Sequence, residues 1–158
     1  MYEQAPPPWQ PPAEVAGPAP GVQFAPHGER LVAYIVDSIV LFLALMLAII
    51  PIVIAGATNS SALAPLAAIM ILVVVVLAIA YFPFFWARGG QTPGMKVFRL
   101  QVVRDRDGGP LSGGQAIMRL VGYWINGIVL YIGFAWVLVD ARRRGWHDLI
   151  AGTVVIKR

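Results

Sequence analysis

Asp37 is the first residue whose chemistry stands out, because it lies in an apolar run where a carboxylate has no water to solvate it. A charge about two turns into a membrane helix costs on the order of 2.5–3.5 kcal/mol on insertion scales. A residue that expensive is kept when it meets a partner, a cavity or an ion path. Arg30 precedes it on nearly the same helical face, ~10 Å away along the axis. Three readings stay open. Asp37 pairs with a basic residue and locks the fold; it binds an ion or proton; or it sits shallow and solvated at the interface.

A second group of charges is Asp140-Ala141-Arg142-Arg143-Arg144-Gly145-Trp146-His147-Asp148. The planar guanidinium fork suits lipid phosphate or carboxylate, and tryptophan favours headgroup depth, so Arg142, Arg143, Arg144 and Trp146 are expected to contact lipid headgroups. Asp148, just before the apolar Leu149-Ile150-Ala151, reads locally as a helix cap or turn residue. His147 and Asp148 are no catalytic dyad by adjacency, since no nucleophile with an orienting base accompanies them. No enzyme activity is expected.

Other chemistries are excluded by composition. Cysteine is absent, and the two histidines, His27 and His147, are far apart, so neither a metal site nor a cofactor is expected. Gly89-Gly90-Gln91-Thr92-Pro93-Gly94-Met95-Lys96 superficially resembles a phosphate loop but lacks its Gly-Lys-Ser/Thr ending. A tight turn feeding a strand, set by Pro93 and Gly94, is the plainer reading.

The elements that must position these residues are membrane helices. Hydrophobic residues are 58% of the 158-residue chain and charged ones 13%, where a soluble domain carries about a quarter. Apolar stretches cover about residues 31–55 and 62–87; at ~1.5 Å per residue, each crosses the ~30 Å hydrocarbon core. The short polar turn Thr58-Asn59-Ser60-Ser61 joins them into a transmembrane hairpin. The twelve lysines and arginines then fall on one side, which the positive-inside rule makes cytoplasmic. Both termini of a multi-pass cell-membrane protein are therefore expected in the cytoplasm. The net charge of +4 flanks apolar segments, which favours anionic lipid over nucleic acid as partner.

A third apolar segment, about residues 117–139, has Arg119 on one flank and the arginine triplet on the other. A single crossing would put the triplet outside, against the charge rule. Gly122, Asn126, Gly127 and Gly133 interrupt it, so a broken or re-entrant hairpin is favoured over a plain third span. Residues 96–103 alternate with period two, Asp107-Gly108-Gly109-Pro110 marks a turn, and residues 153–157 read as a strand. The two strands are expected to pair in a small cytoplasmic β element. Residues 1–26 hold eight of the thirteen prolines and are expected to be a disordered tail. The tail is either simply solvated or a ligand for a proline-binding partner. Residues 27–158 then form the membrane domain: an all-α helical bundle of two long spans, the broken third segment and the small β element.

Three stretches, in this order, resemble the RDD family of small membrane proteins. They are Glu29-Arg30-Leu31-Val32-Ala33-Tyr34-Ile35-Val36-Asp37, the loop Gly90-Gln91-Thr92-Pro93-Gly94-Met95-Lys96, and Arg144-Gly145-Trp146-His147-Asp148-Leu149-Ile150-Ala151-Gly152-Thr153-Val154-Val155. The resemblance covers about residues 28–158, and the proline-rich extension is familiar from actinobacterial members. It implies a polytopic domain with a suspected role in transport, including ion- or proton-coupled exchange in some members. It also implies an arginine and first aspartate at Arg30 and Asp37, and a second aspartate at Asp148, with Asp140 as rival. Arg30, Asp37 and Asp148 are expected to form one polar cluster. Transport through Asp37 and a non-transporting adaptor working through tail and basic face both remain as functional readings. A chain this small encloses little pathway alone, so a homo-oligomer is expected in either case.

Overall fold

The computed structural model describes residue 17, residues 21–58 and residues 63–158. Two long helices, α1 (His27–Ala57) and α2 (Ala64–Gly89), pack against each other as a hairpin. Their mean hydropathies are 3.0 and 2.8, and both are long enough to cross a membrane. Very little of either is covered by protein: α1 buries Ala33, Asp37 and Ala48, and α2 buries Ala67 and Trp86. Residues such as Leu47 and Leu72 are open on the surface. That surface is unfavourable in water and suits lipid, where helices satisfy every backbone group internally.

The protein core lies at one end of this hairpin. There α2 stops at Gly90, in the left-handed conformation, and Arg88 complements the negative end of the helix. A short helix α3 (Pro93–Val97) follows, then β2 (Leu100–Arg104), α4 (Gly113–Ile128), α5 (Ile132–Ala135), a 3-10 turn (Trp136–Leu138), α6 (Trp146–Ala151) and β3 (Thr153–Lys157). Strand β3 is central in a three-stranded sheet, antiparallel to β2 on one side and to β1 (Gln23–Phe24) on the other. The β2–β3 register runs from Leu100 opposite Lys157 to Arg104 opposite Thr153. Leu100, Val102 and Val155 share a core with Ala33, Trp86, Met95 and Ala116, while Phe24, Val103, Val154 and Ile156 form a second cluster.

Three expectations need revision. The strand expected over residues 96–103 begins only at Leu100; Lys96 and Val97 belong to α3. The cause is local: the Thr92 hydroxyl accepts from Met95 N, and Pro93 occupies the first helical turn, a start signal that outranks a period-two pattern. The tail is shorter than residues 1–26, since Gln23–Phe24 is a strand and Phe24 is buried. Most of the remaining proline-rich stretch, and the polar turn at residues 59–61, lie outside the described residues.

The third revision concerns the apolar segment at 117–139. It is broken, yet not at its glycines: α4 runs unbroken through Gly122, Asn126 and Gly127. The break follows Ile128, where Leu130 and Tyr131 both take left-handed backbone and the chain turns through 114° into α5. Since β2 and β3 pair, and this segment joins them, it starts and finishes at the same end of the hairpin. A closed capping box, Ser112 with Gln115, starts α4 at that end.

Strand β1 is short, but it carries Phe24 into the second cluster. Phe24→Ala is expected to destabilise the purified protein by ~3 kcal/mol, by lost burial and the cavity left behind. Deleting residues 1–24 is expected to lower the thermal midpoint in detergent comparably. An unchanged midpoint in both would show that β1 is dispensable.

Candidate functional site

Two carboxylates are buried where the elements converge, and they are held in different ways. Asp148 lies in the first turn of α6, where its Oδ2 accepts from Gly145 N at 3.0 Å, so the local reading as a cap is correct as far as it goes. The same oxygen accepts from Arg30 at 2.6 Å, and Oδ1 accepts from Arg119. Arg119 also donates to the Thr153 hydroxyl at 2.7 Å and lies over the Trp86 ring, 4.8 Å from its centroid. A completely buried carboxylate is thus clamped by guanidiniums from α1 and α4. Burial alone would push the Asp148 carboxyl up; Arg119 and Arg30 outweigh it and hold it well below the usual carboxylate range.

His147 backs this clamp. Its Nε2 faces Asp148 Oδ2 at 3.3 Å, and its Nδ1 lies 3.4 Å from the Asn126 amide nitrogen, which also donates to Gly122 O at 2.8 Å. Nε2 also lies 3.5 Å from the Arg30 guanidinium, so the ring sits between the clamp and Asn126. Burial pushes the imidazole down to about 4, against the pull of Asp148.

Asp37 is elsewhere, and among the described residues it has no ion-pair partner. Its Oδ1 accepts from the Tyr81 hydroxyl at 2.9 Å and from Gly94 N at 2.8 Å, and its Oδ2 from the Thr92 hydroxyl at 2.5 Å. The loop expected to make only a turn therefore supplies two of three donors, docking the start of α3 on the first span. Gly94 is required by this contact: a Cβ there would lie 2.2 Å from Ala33 O and 2.9 Å from Asp37 Cγ. Between Asp37 and the arginine clamp is a small, partly open cavity of about 40 Å³ lined by Arg30, Asp37, Thr92 and Arg119 together with apolar and aromatic residues. Its size and polar lining suit water.

Of the residues singled out by sequence, Arg30 and Asp148 are brought together, while Asp37 is separate. Asp140 belongs to a third group, paired with Arg144 at 3.0 Å. Arg144 also reaches Asp105 at 2.8 Å, and Arg142 reaches the same carboxylate at 3.0 Å. The Arg143 carbonyl accepts from Arg30, and its guanidinium donates to Phe24 O at 3.2 Å. The triplet expected at lipid headgroups is thus largely engaged with the protein itself. Trp146 is half-buried beside Trp136, at 6.4 Å between ring centroids. Arg119, Tyr81, Thr92 and Asn126 escaped sequence reasoning. Arg119 had a usable signal, being a cation just inside an apolar helix, whereas the others are ordinary residue types whose role depends on distant partners.

Two outcomes follow. Removing one arm of the clamp strands buried charge, so Arg119→Ala is expected to cost ~3–5 kcal/mol. Arg142→Ala, at a more exposed pair, should cost ~0–1 kcal/mol; chemical unfolding of both variants in detergent compares them. Acid is also expected to weaken the fold. His147 stays neutral when folded but takes up a proton near its ordinary value of 6.5 when unfolded. Its contribution is complete above pH 6.5 and lost as pH falls toward 4, amounting to about 3 kcal/mol at ~1.4 kcal/mol per unit. His147→Gln should flatten the stability profile in that window, and an unchanged slope would show that His147 is not the group responsible.

The chain is 35% identical over 86 residues to "Uncharacterized protein YxaI" of Bacillus subtilis, covering 54% of this chain and 56% of that protein. It is 31% identical over 67 residues to "Proline-rich antigen homolog" of Mycobacterium tuberculosis, covering 42% of this chain and 28% of the relative. "Proline-rich antigen" of Mycobacterium leprae is 27% identical over a stretch of the same length. The chain therefore spans about half the length of the first relative and about a quarter of the mycobacterial ones. No solved structure matches it significantly. The RDD family profile matches residues 24–152, from β1 through the Arg30–Asp148 pair to the end of α6, and the chain belongs to the RDD family of membrane proteins.

Proposed function

We propose that this protein is a transport component of the cell membrane that handles a cation or proton at Asp37. One observation carries the reading. A buried carboxylate on the first span is held by three neutral donors, with no cation paired to it among the described residues, beside a cavity of water-sized dimensions. Intramembrane carboxylates of this kind line ion or proton paths. Tyr81 and Thr92 are hydroxyl donors that can turn to accept, so a proton or a small cation can be exchanged without rebuilding the loop. Arg30, Arg119 and Asp148 serve a different purpose, holding α1, α4 and α6 in register around the cavity.

Orientation is part of the proposal. With the cationic ends of α1 and α2 and the paired strands on the cytoplasmic side, both termini face the cytoplasm. Two crossing helices and one re-entrant segment enclose little pathway, which supports assembly as a homo-oligomer.

A second reading, a membrane adaptor, has its own support. β1 ties the end of the proline-rich stretch to β3, beside Arg143, so a partner bound to that stretch would be held at the basic face.

Flux into liposomes separates the two readings. With proton, sodium and potassium gradients tested singly, the wild-type protein is expected to dissipate at least one. Asp37→Asn, which keeps hydrogen-bonding capacity, should abolish that flux while the thermal midpoint stays within a few degrees. Absence of flux under every gradient, or undiminished flux in Asp37→Asn, would overturn the transport reading.

A further inference from the structure

A groove of about 580 Å³ opens sideways from the bundle between α1, α2 and α4, at the depth of the second span. Its size falls in the range of ordinary small-molecule sites, ~300–1,000 Å³. Six of its walls are aromatic: Tyr34, Phe82, Tyr123, Trp124, Tyr131 and Phe134. Five of them are connected, with Tyr34, Phe82, Tyr123 and Phe134 at 4.9–6.4 Å between centroids and Tyr131 at 6.0 Å from Phe134, while Trp124 forms an exposed edge of the groove. Three of them, Tyr34, Phe82 and Tyr123, also wall the small polar cavity, so an aromatic partition stands between groove and cavity.

From this geometry we infer that the groove binds an amphipathic organic cation, a bulky apolar body carrying an ammonium-like charge. The sign of the charge is set by three observations. Aromatic faces attract cations, most strongly where water is excluded. The groove floor includes Gly127 and Ile128, at the C-terminal end of α4, where the helix dipole is negative. Of the last four carbonyls of α4, Ile125 O is met by Val129 N and Asn126 O by Tyr131 N; no backbone donor among the described residues reaches those of Gly127 and Ile128. At bilayer depth such carbonyls call for a donor or a positive charge. Among the described residues, no lysine or arginine lines the groove. Behind the partition, Arg30 and Arg119 are both paired with the buried Asp148 carboxylate.

This inference goes beyond the transport reading and does not rest on it, because occupancy is an equilibrium property measured without a gradient. Tetraphenylphosphonium and tetraphenylborate have nearly the same shape and opposite charge. With the full chain in phosphatidylcholine nanodiscs and empty discs subtracted, equilibrium dialysis is expected to show saturable binding of tetraphenylphosphonium and none of tetraphenylborate. Trp124→Ala alters an exposed groove wall without touching the buried core, and should weaken binding at least fivefold with an unchanged thermal midpoint. Four results would overturn the inference. Neither ion binds saturably; tetraphenylborate binds as well or better, which marks the groove as a site for anionic amphiphiles; Trp124→Ala binds normally; or Trp124→Cys, the sole cysteine of the chain, crosslinks to a second copy that fills the groove.

Discussion

The buried pairing of Asp148 with Arg30 and Arg119 is the constraint on which the rest of this structure depends. A carboxylate without water needs both its oxygens met, and the two guanidiniums come from helices far apart in the chain. Satisfying Asp148 therefore fixes where α1 starts relative to α4 and places α6 between them. It also sets the position of β3, because Thr153, which shares a hydrogen bond with Arg119, is the first residue of that strand. Charge that would be costly alone becomes specific when only one arrangement neutralises it.

The rest of the core is built outward from this clamp. Trp86 covers the Arg119 guanidinium, and the central strand lays Val155 against the same apolar cluster. Asp37 performs an analogous task by a different chemistry, anchoring the loop after α2 through neutral donors. The cavity between the two carboxylates is what remains when bulky aromatics and two arginines meet without filling the space. Asp148 is met by two guanidiniums, whereas Asp37 is met only by neutral donors among the described residues. That contrast separates a charge-paired carboxylate at Asp148 from a neutrally held one at Asp37.

The re-entrant segment follows from sheet pairing combined with membrane chemistry. An antiparallel β2–β3 ladder leaves both ends of the intervening chain at one side, so α4 must descend and return. Its turn at Leu130 and Tyr131 leaves the carbonyls of Gly127 and Ile128 without a backbone donor among the described residues. Such irregular backbone is tolerated only beside protein or a cavity. The aromatic groove beside that turn is therefore a consequence of the break as much as a candidate site.

The sequence alone determined what depends on local, additive properties. Two spans were legible because hydropathy sums along a helix, and the one-sided placement of lysines and arginines because charge resists crossing. The pairing of residues 153–157 with the strand after the loop was legible from composition and turn signals, though its first residues turned out to be α3. Arg30, Asp37 and Asp148 were recognisable as costly residues. Only the tertiary structure decided what each of them meets. Arg119 had looked like a topological flank and became the second arm of the clamp, while Thr92 had stood only as part of a turn and Tyr81 had carried no signal. Partner choice for a buried charge depends on distances between segments more than a hundred residues apart, as between Arg30 and Asp148. No local period, propensity or hydropathy encodes such a distance, and it appears only when the sheet and helices have closed around it.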